Sequence, residues 1–234
     1  MKKIIISSLI VLFLGCSSGD SPVASEGITD LDGKTYTPVT IGKQTWYKEN
    51  LNVSKYSDGS PIPEVNDPTE WSTLTTGAWC YYDNDPSAGD VFGKLYNWYA
   101  VAGIYNDASL NNAALRKKLA PQGCHIPSDS EWTTLADYLG SNAGGKMKEE
   151  GIENWSETNS DVTNSSLFTG LPSGICIANG SFHFLTFHGY WWSSVPTSLD
   201  NQTAWNRSLN YNSNILCRSY DNKKYGFSVR FLKD

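Results

Sequence analysis

"HIPSDSEWTTLADYLGS", residues 125–141, is the stretch on which the reading of the fold turns. The Ser128 hydroxyl can accept from the backbone N–H three residues on, while Glu131 can reach back to the N–H of Ser128, and this reciprocal capping box marks a helix start. Asp129 places negative charge where the helix dipole favours it. Trp132, Leu135 and Leu139 then make one inward stripe, and Gly140 stops the pattern. The spacing predicts a helix over 129–139. "AGGKMKEEG" after it reads as a second, shorter helix with a weaker face.

Outward from this helix the texture is mostly β. "KTYTPVTIGKQTWYKENL" carries two short β-rich stretches about Gly42-Lys43, a hairpin signal. Residues 54–76 read mostly as loop, and "GAWCYY" (77–82) as a strand. In "VFGKLYNWYAVAG", Phe92, Leu95, Tyr96 and Tyr99 fall at i, i+3, i+4 and i+7, which predicts a helix ended by Gly103. Later, "GICIANGSFHFLTF" has Asn179-Gly180 between alternating stretches, a strong hairpin signal. "GYWWSS", "TAWNRSLN", "NILCRSY" and "GFSVRFL" follow at fairly even spacing. One or two packed helices and a strand-rich second half predict a loop-rich α+β fold with a late antiparallel sheet.

The chain opens "MKKIIISSLIVLFLGC": two lysines, an apolar run, then Gly15-Cys16. That is the layout of a secretory signal, and its apolar run is shorter than the roughly 20 residues a membrane span needs. The Gly-Cys ending looks like a bacterial lipoprotein signal, with Phe13 where leucine is usual. The expectation is a signal peptide over 1–15 and a lipid anchor on Cys16, attaching the protein to a membrane without crossing it. Residues 16–27 would form a flexible polar tether, and 28–234 a single domain. Removing Lys2 and Lys3 leaves sixteen basic side chains against twenty-four acidic, a formal charge of about −8. No basic cluster stands out, which argues against nucleic acid as a partner. Export makes disulfides plausible for Cys80, Cys124, Cys176 and Cys217, whose spacing fits no short zinc pattern. Three pairings are open.

Seven ordered segments now point to a family. "TDLDGKTYTPVTIGKQTWYKENL", "GAWCYYDND", "GKLYNWYAV", "GCHIPSDSEWTTLADYLG", "FTGLPSG", "GYWWSS" and "KKYGFSVRFLKD" resemble the Fibrobacter succinogenes major paralogous domain from about Thr29 to Asp234. Proteins of that family are typically exported lipoproteins, so the resemblance implies a cell-envelope location, here expected at the outer membrane. More distantly, "HIPSDSEW", "WWSS" and "GFSVRFL" are similar to the formylglycine-generating-enzyme group, which implies a C-type-lectin-like frame. Two departures shift the cysteine complement: Cys124 stands where the family usually has tryptophan, and Phe231 where its last strand often has cysteine. No family disulfide transfers. A bond between Cys176 and Cys217, both in the late sheet, is the candidate carried forward.

Catalysis finds little support. Cys217 lacks a nearby cysteine partner, so formylglycine-generating activity does not carry over. Cys124 and His125 could suggest a thiol–imidazole pair, yet neighbours in an extended segment face opposite sides. HExxH and GxSxG are absent. Asp83, Asp85 and Asp90 offer oxygen ligands in "DNDPSAGD", but their spacing is not an EF-hand and the segment reads as turn chemistry. No metal or cofactor is expected. Trp191 and Trp192 must face opposite sides of a strand, so one is expected in the core and its neighbour on the outer face. In a lectin-like frame the late strands form the recognition surface, which makes Tyr190, Trp192, Trp205, Arg207 and Tyr211 the candidate ligand-binding residues. The expected function is a non-catalytic module that binds a glycan or a protein. The alternatives are an envelope enzyme with an unrecognised site and a self-assembling structural protein.

Overall fold

The computed structural model describes residues 26–156 and 161–234. The expected leader, Cys16 and nearly all of the tether lie outside those residues. In chain order the elements begin with β1 (Ile28–Thr29), β2 (Thr35–Tyr36), β3 (Pro38–Ile41), β4 (Gln44–Tyr47), α1 (Pro68–Thr73), β5 (Trp79–Cys80), α2 (Pro86–Phe92), β6 (Leu95–Tyr96), α3 (Trp98–Val101) and α4 (Asp107–Asn111). There follow β7 (Cys124–His125), α5 (Asp129–Leu139), α6 (Ala143–Met147), β8 (Ser173–Cys176), β9 (Phe182–Leu185), β10 (His188–Pro196), β11 (Thr203–Asn210), β12 (Cys217–Asn222) and β13 (Leu232–Lys233). The fold is mixed α+β.

The signals of strongest local chemistry form as read. α5 spans Asp129–Leu139, with Glu131 Oε2 accepting from Ser128 N at 2.8 Å and Ser128 Oγ accepting from Glu131 N at 3.3 Å. β3 and β4 turn at Gly42-Lys43, and β8 and β9 turn around Asn179-Gly180. Three late strands make an antiparallel sheet in the order β10-β11-β12. A second sheet joins the two ends of the domain in the order β3-β4-β13-β7.

Of the helix expected from Phe92 to Gly103, only the last turn forms, as α3 (Trp98–Val101) just before Gly103. Gly93 adopts φ +75°, where a side chain would meet Leu51 O at 2.9 Å, and this ends α2. Leu95 and Tyr96 then run as a strand, pairing with Cys80 and Trp79, while Tyr96 also bridges Phe227. Chain pairing across the molecule thus overrides a helical pattern. The 54–76 loop holds one unexpected helix, α1. Asp67 accepts from Glu70 N, Pro68 occupies the first turn, and Trp71 is buried.

β10 divides two cores. Trp191 packs in one with Trp46, Trp132 and Phe168, its ring centroid 5.7 Å from Phe168 and 6.5 Å from Trp132. Trp192 packs in the other, 4.3 Å from Phe227, and its Nε1 donates to Tyr96 O at 2.9 Å. The neighbours do face opposite sides, as strand geometry requires. Both are nonetheless fully buried, because the strand is covered on each face. The expectation that one would reach the outside is corrected.

Next to Trp191 lies a buried cation. Arg230 donates from Nε to Asn50 Oδ1 (2.7 Å), from Nη1 to Tyr47 O (2.9 Å) and Phe168 O (2.8 Å), and from Nη2 to Thr169 O (2.8 Å). Its guanidinium stacks 4.3 Å from the Phe168 ring centroid. Burial draws its pKa down to about 9, which leaves it protonated at neutral pH. Arg230→Met should destabilise the fold by about 3–5 kcal/mol in a urea titration, since four acceptors each lose a charged donor at once. Arg230→Lys should recover little of this loss, because a point charge cannot reproduce the planar fork.

Candidate functional site

The five residues expected to form a ligand surface do not converge. Trp192 is sealed in the core. Arg207 is 2% exposed, donating to Asp129 Oδ1 at 2.7 Å and to Thr133 Oγ1 at 3.1 Å, so it ties β11 to α5. The register pairs Tyr190 with Ser208, Trp191 with Arg207 and Trp192 with Asn206, which sets Tyr190 on the sheet face opposite Arg207. Tyr190 is half-buried, its ring parallel to His188 at 5.6 Å and stacked on Phe227 at 5.0 Å. Burial pushes its phenol up to about 12. Trp205 lies on the Arg207 face, where the Arg218 guanidinium covers its ring at 3.5 Å. Tyr211 packs edge-on to Phe187 at 5.3 Å, past the end of β11. Tyr190, Trp205 and Tyr211 thus keep partly open rings, but not on one surface.

The candidate disulfide is also corrected. Cys80, Cys124, Cys176 and Cys217 are all free thiols in this structure, and Cys176, buried in β8, and Cys217, exposed at the start of β12, lie in different sheets.

One hollow gathers ionisable groups. Its volume is about 370 Å³, and Cys124, His125, Ser128, Glu131, Ser194 and Asp234 are among its walls. His125 meets Asp234 Oδ1 through Nδ1 and Glu131 Oε1 through Nε2, both at 2.7 Å. Burial works against a charge on this ring, but its hydrogen bonds to Asp234 and Glu131 prevail and hold its pKa above the usual value. With both nitrogens engaged, the ring has no lone pair to offer as a base. Cys124 points the other way: the Tyr47 hydroxyl bonds to its thiol, and burial raises its pKa. The arrangement is a clamp between α5, β7 and Asp234.

A larger hollow, about 530 Å³, opens where α3 and the 104–116 segment face the β10–β11 connection. Trp98, Tyr99, Asn111, Arg116, Asn201 and Lys223 are on its wall. Lys223 is 8% exposed, donates to Asn201 O at 2.7 Å and sits 4.8 Å over the Trp98 ring. Burial lowers its pKa, with the Arg116 charge acting in the same direction and Asp200 opposing. Arg116 donates from Nε to Ser109 O at 3.2 Å and from Nη2 to Leu110 O at 3.4 Å. Among the described residues neither cation has a carboxylate in ion-pair range. Sequence reading missed this site because its two charges lie in separate short basic runs, "RKK" at 116–118 and "KK" at 223–224, that only the fold brings together.

Residues 39–233 match the Fibrobacter succinogenes major domain. The chain belongs to that family. No match is found among curated proteins or among solved structures. In this Fibrobacter succinogenes major domain, no group of three or more His, Cys, Asp or Glu among the described residues is placed to hold a metal ion. Asp85 in the "DNDPSAGD" loop instead caps α2, accepting from Ser87 N at 2.9 Å. No described helix is long and apolar enough to cross a membrane.

The His125 clamp gives this domain a pH signature. A histidine whose pKa is raised on folding contributes stability that is complete below its unfolded value, about 6.5, and lost as pH rises through the folded one. Thermal unfolding should therefore show stability falling as pH rises above about 6.5. His125→Gln should flatten that slope, and NMR titration of the ring should place its pKa above the unfolded value.

Proposed function

We propose that this domain is a non-catalytic recognition module, held at the outer membrane by lipid on Cys16 and standing off it on a short polar tether. Its ligand, a glycan or a protein segment, occupies the hollow beside Tyr99, Arg116 and Lys223. The observation that carries this reading is the pair of cations sharing one concave space with no carboxylate in ion-pair range among the described residues, in a protein of net negative charge. Like charges held together repel, and an anionic group between them relieves that repulsion while low-dielectric walls strengthen the attraction. The half-buried Tyr99 ring beside them offers a flat apolar surface, as a sugar face requires. An acidic ligand is therefore preferred over a neutral one.

The non-catalytic part is supported by the state of the reactive side chains. Cys124 faces a tyrosine rather than an imidazole, and His125 has both nitrogens occupied. A C-type-lectin-like frame belongs to the same proposal and is supported by the late antiparallel sheet with α5 laid against it.

The soluble domain, residues 28–234, should bind acidic members of an array of neutral and acidic glycans, or an acidic protein in a pull-down, with affinity falling as salt rises. Arg116→Ala and Tyr99→Ala should each weaken binding about tenfold, about 1.4 kcal/mol, while Trp205→Ala should leave it unchanged. Silence in both assays, or binding indifferent to Arg116 and Tyr99, would overturn the assignment.

A further inference from the structure

Two of the four cysteines in the described residues share one small core. Cys80 and Cys176 are each 1% exposed and pack with Val65, Trp71, Ala78 and Leu95. Their side chains lie within hydrogen-bonding reach of each other. Several neighbouring contacts bring them there. Cys176 N donates to Gly226 O at 3.1 Å and Gly226 N to Cys176 O at 2.7 Å, which fixes β8 against the chain before β13. A side chain at residue 226 would press on Cys176 Cβ at 3.1 Å, on the Trp71 ring at 3.1 Å and on Leu95 Cβ at 3.3 Å, so the glycine leaves the space open. Leu95 is in turn the strand partner of Cys80. Two residues beyond Cys80, the Tyr82 ring lies 5.3 Å from Phe182 of β9, holding this segment on the β8–β9 hairpin.

We propose that Cys80 and Cys176 are the site of a disulfide cross-link, formed when the chain folds in an oxidising compartment. This rests on the export reading above. The co-reactant is a disulfide donor, such as an oxidoreductase disulfide or glutathione disulfide. Each cysteine gives up one hydrogen, the two sulfurs join, and the donor's S–S bond is reduced to two thiols. The other cysteines are placed otherwise, since Cys124 is buried against Tyr47 and Cys217 is exposed on β12. Burial raises the Cys80 thiol well above its usual pKa, with the hydrogen bond to Cys176 adding to it. Exchange needs a thiolate and access, so the bond forms during folding and then resists reduction.

The test uses the whole chain carrying Cys16→Ser, unfolded in reductant and refolded with glutathione disulfide. Mass spectrometry after alkylation should show two thiols lost and a peptide linkage joining Cys80 to Cys176. The oxidised protein should melt roughly 5–15 °C above the reduced one. Cys80→Ser and Cys176→Ser should each abolish the linkage, while Cys217→Ser should keep it. All four thiols remaining after oxidative refolding, or a linkage through Cys124 or Cys217, would overturn the proposal without requiring any variant to fold. A second arm alkylates thiols of the native chain in intact cells. A blocked pair there supports the bond and the export reading together. A pair that closes in the refolding arm but stays reduced in cells leaves the cross-link chemistry standing and overturns export.

Discussion

The fold is organised around a charge that has no carboxylate in ion-pair range among the described residues. Arg230 lies wholly inside, and its guanidinium is satisfied by carbonyl and amide oxygens of Tyr47, Asn50, Phe168 and Thr169. A buried cation is tolerable only when its donors find acceptors, and here those acceptors come from two separated stretches of chain, 47–50 and 168–169. Asn50 extends the network, because its Oδ1 also accepts from Trp191 Nε1 at 2.9 Å. The arginine therefore fixes the first hairpin, the turn at 168–169 and the central strand relative to one another. Lys148 repeats the device on a smaller scale, donating to the carbonyls of Asn210, Tyr211 and Ser213.

Around that centre, β10 acts as a wall with a core on each side. Alternation along a strand sends Trp191 and Trp192 in opposite directions, and both directions lead inward. In such a strand the hydrophobic run is continuous rather than alternating, which is how "GYWWSS" reads. A single exposed face is the commoner case, and it invites the inference that one tryptophan is free. What decides the matter is the 226–228 segment, which pairs with β10 through Ser228 and lays Phe227 on the face away from α5.

Local chemistry was legible in the sequence where it is self-contained. The capping box at Ser128, the turn at Gly42-Lys43 and the turn at Asn179-Gly180 each involve a handful of adjacent residues, and each formed as read. "DPTEW" at 67–71 carries the same kind of signal and could have been used to find α1. Failure came where the deciding partner is remote. Leu95 and Tyr96 follow a helical spacing but pair as a strand with residues 79–80 and 227. Arg207 stands in a polar strand that looks exposed, and only the approach of Asp129 shows why it is buried. The hollow at Arg116 and Lys223 is assembled from parts of the chain about a hundred residues apart, so no window of sequence contains it.

The position of β13 has a kinetic corollary. This strand lies between β4 and β7, in the interior of a four-stranded sheet, and the residues just before it supply Arg230 and Phe231 to the middle of the molecule. A ribosome emits the first hairpin and α5 long before those residues appear. Until they do, β4 and β7 have no strand between them and the carbonyls of Tyr47, Phe168 and Thr169 lack the guanidinium that bonds them. The nascent domain must therefore wait, unfinished, until its last strand is synthesised, and that interval is when a holding chaperone or a secretion channel could engage it.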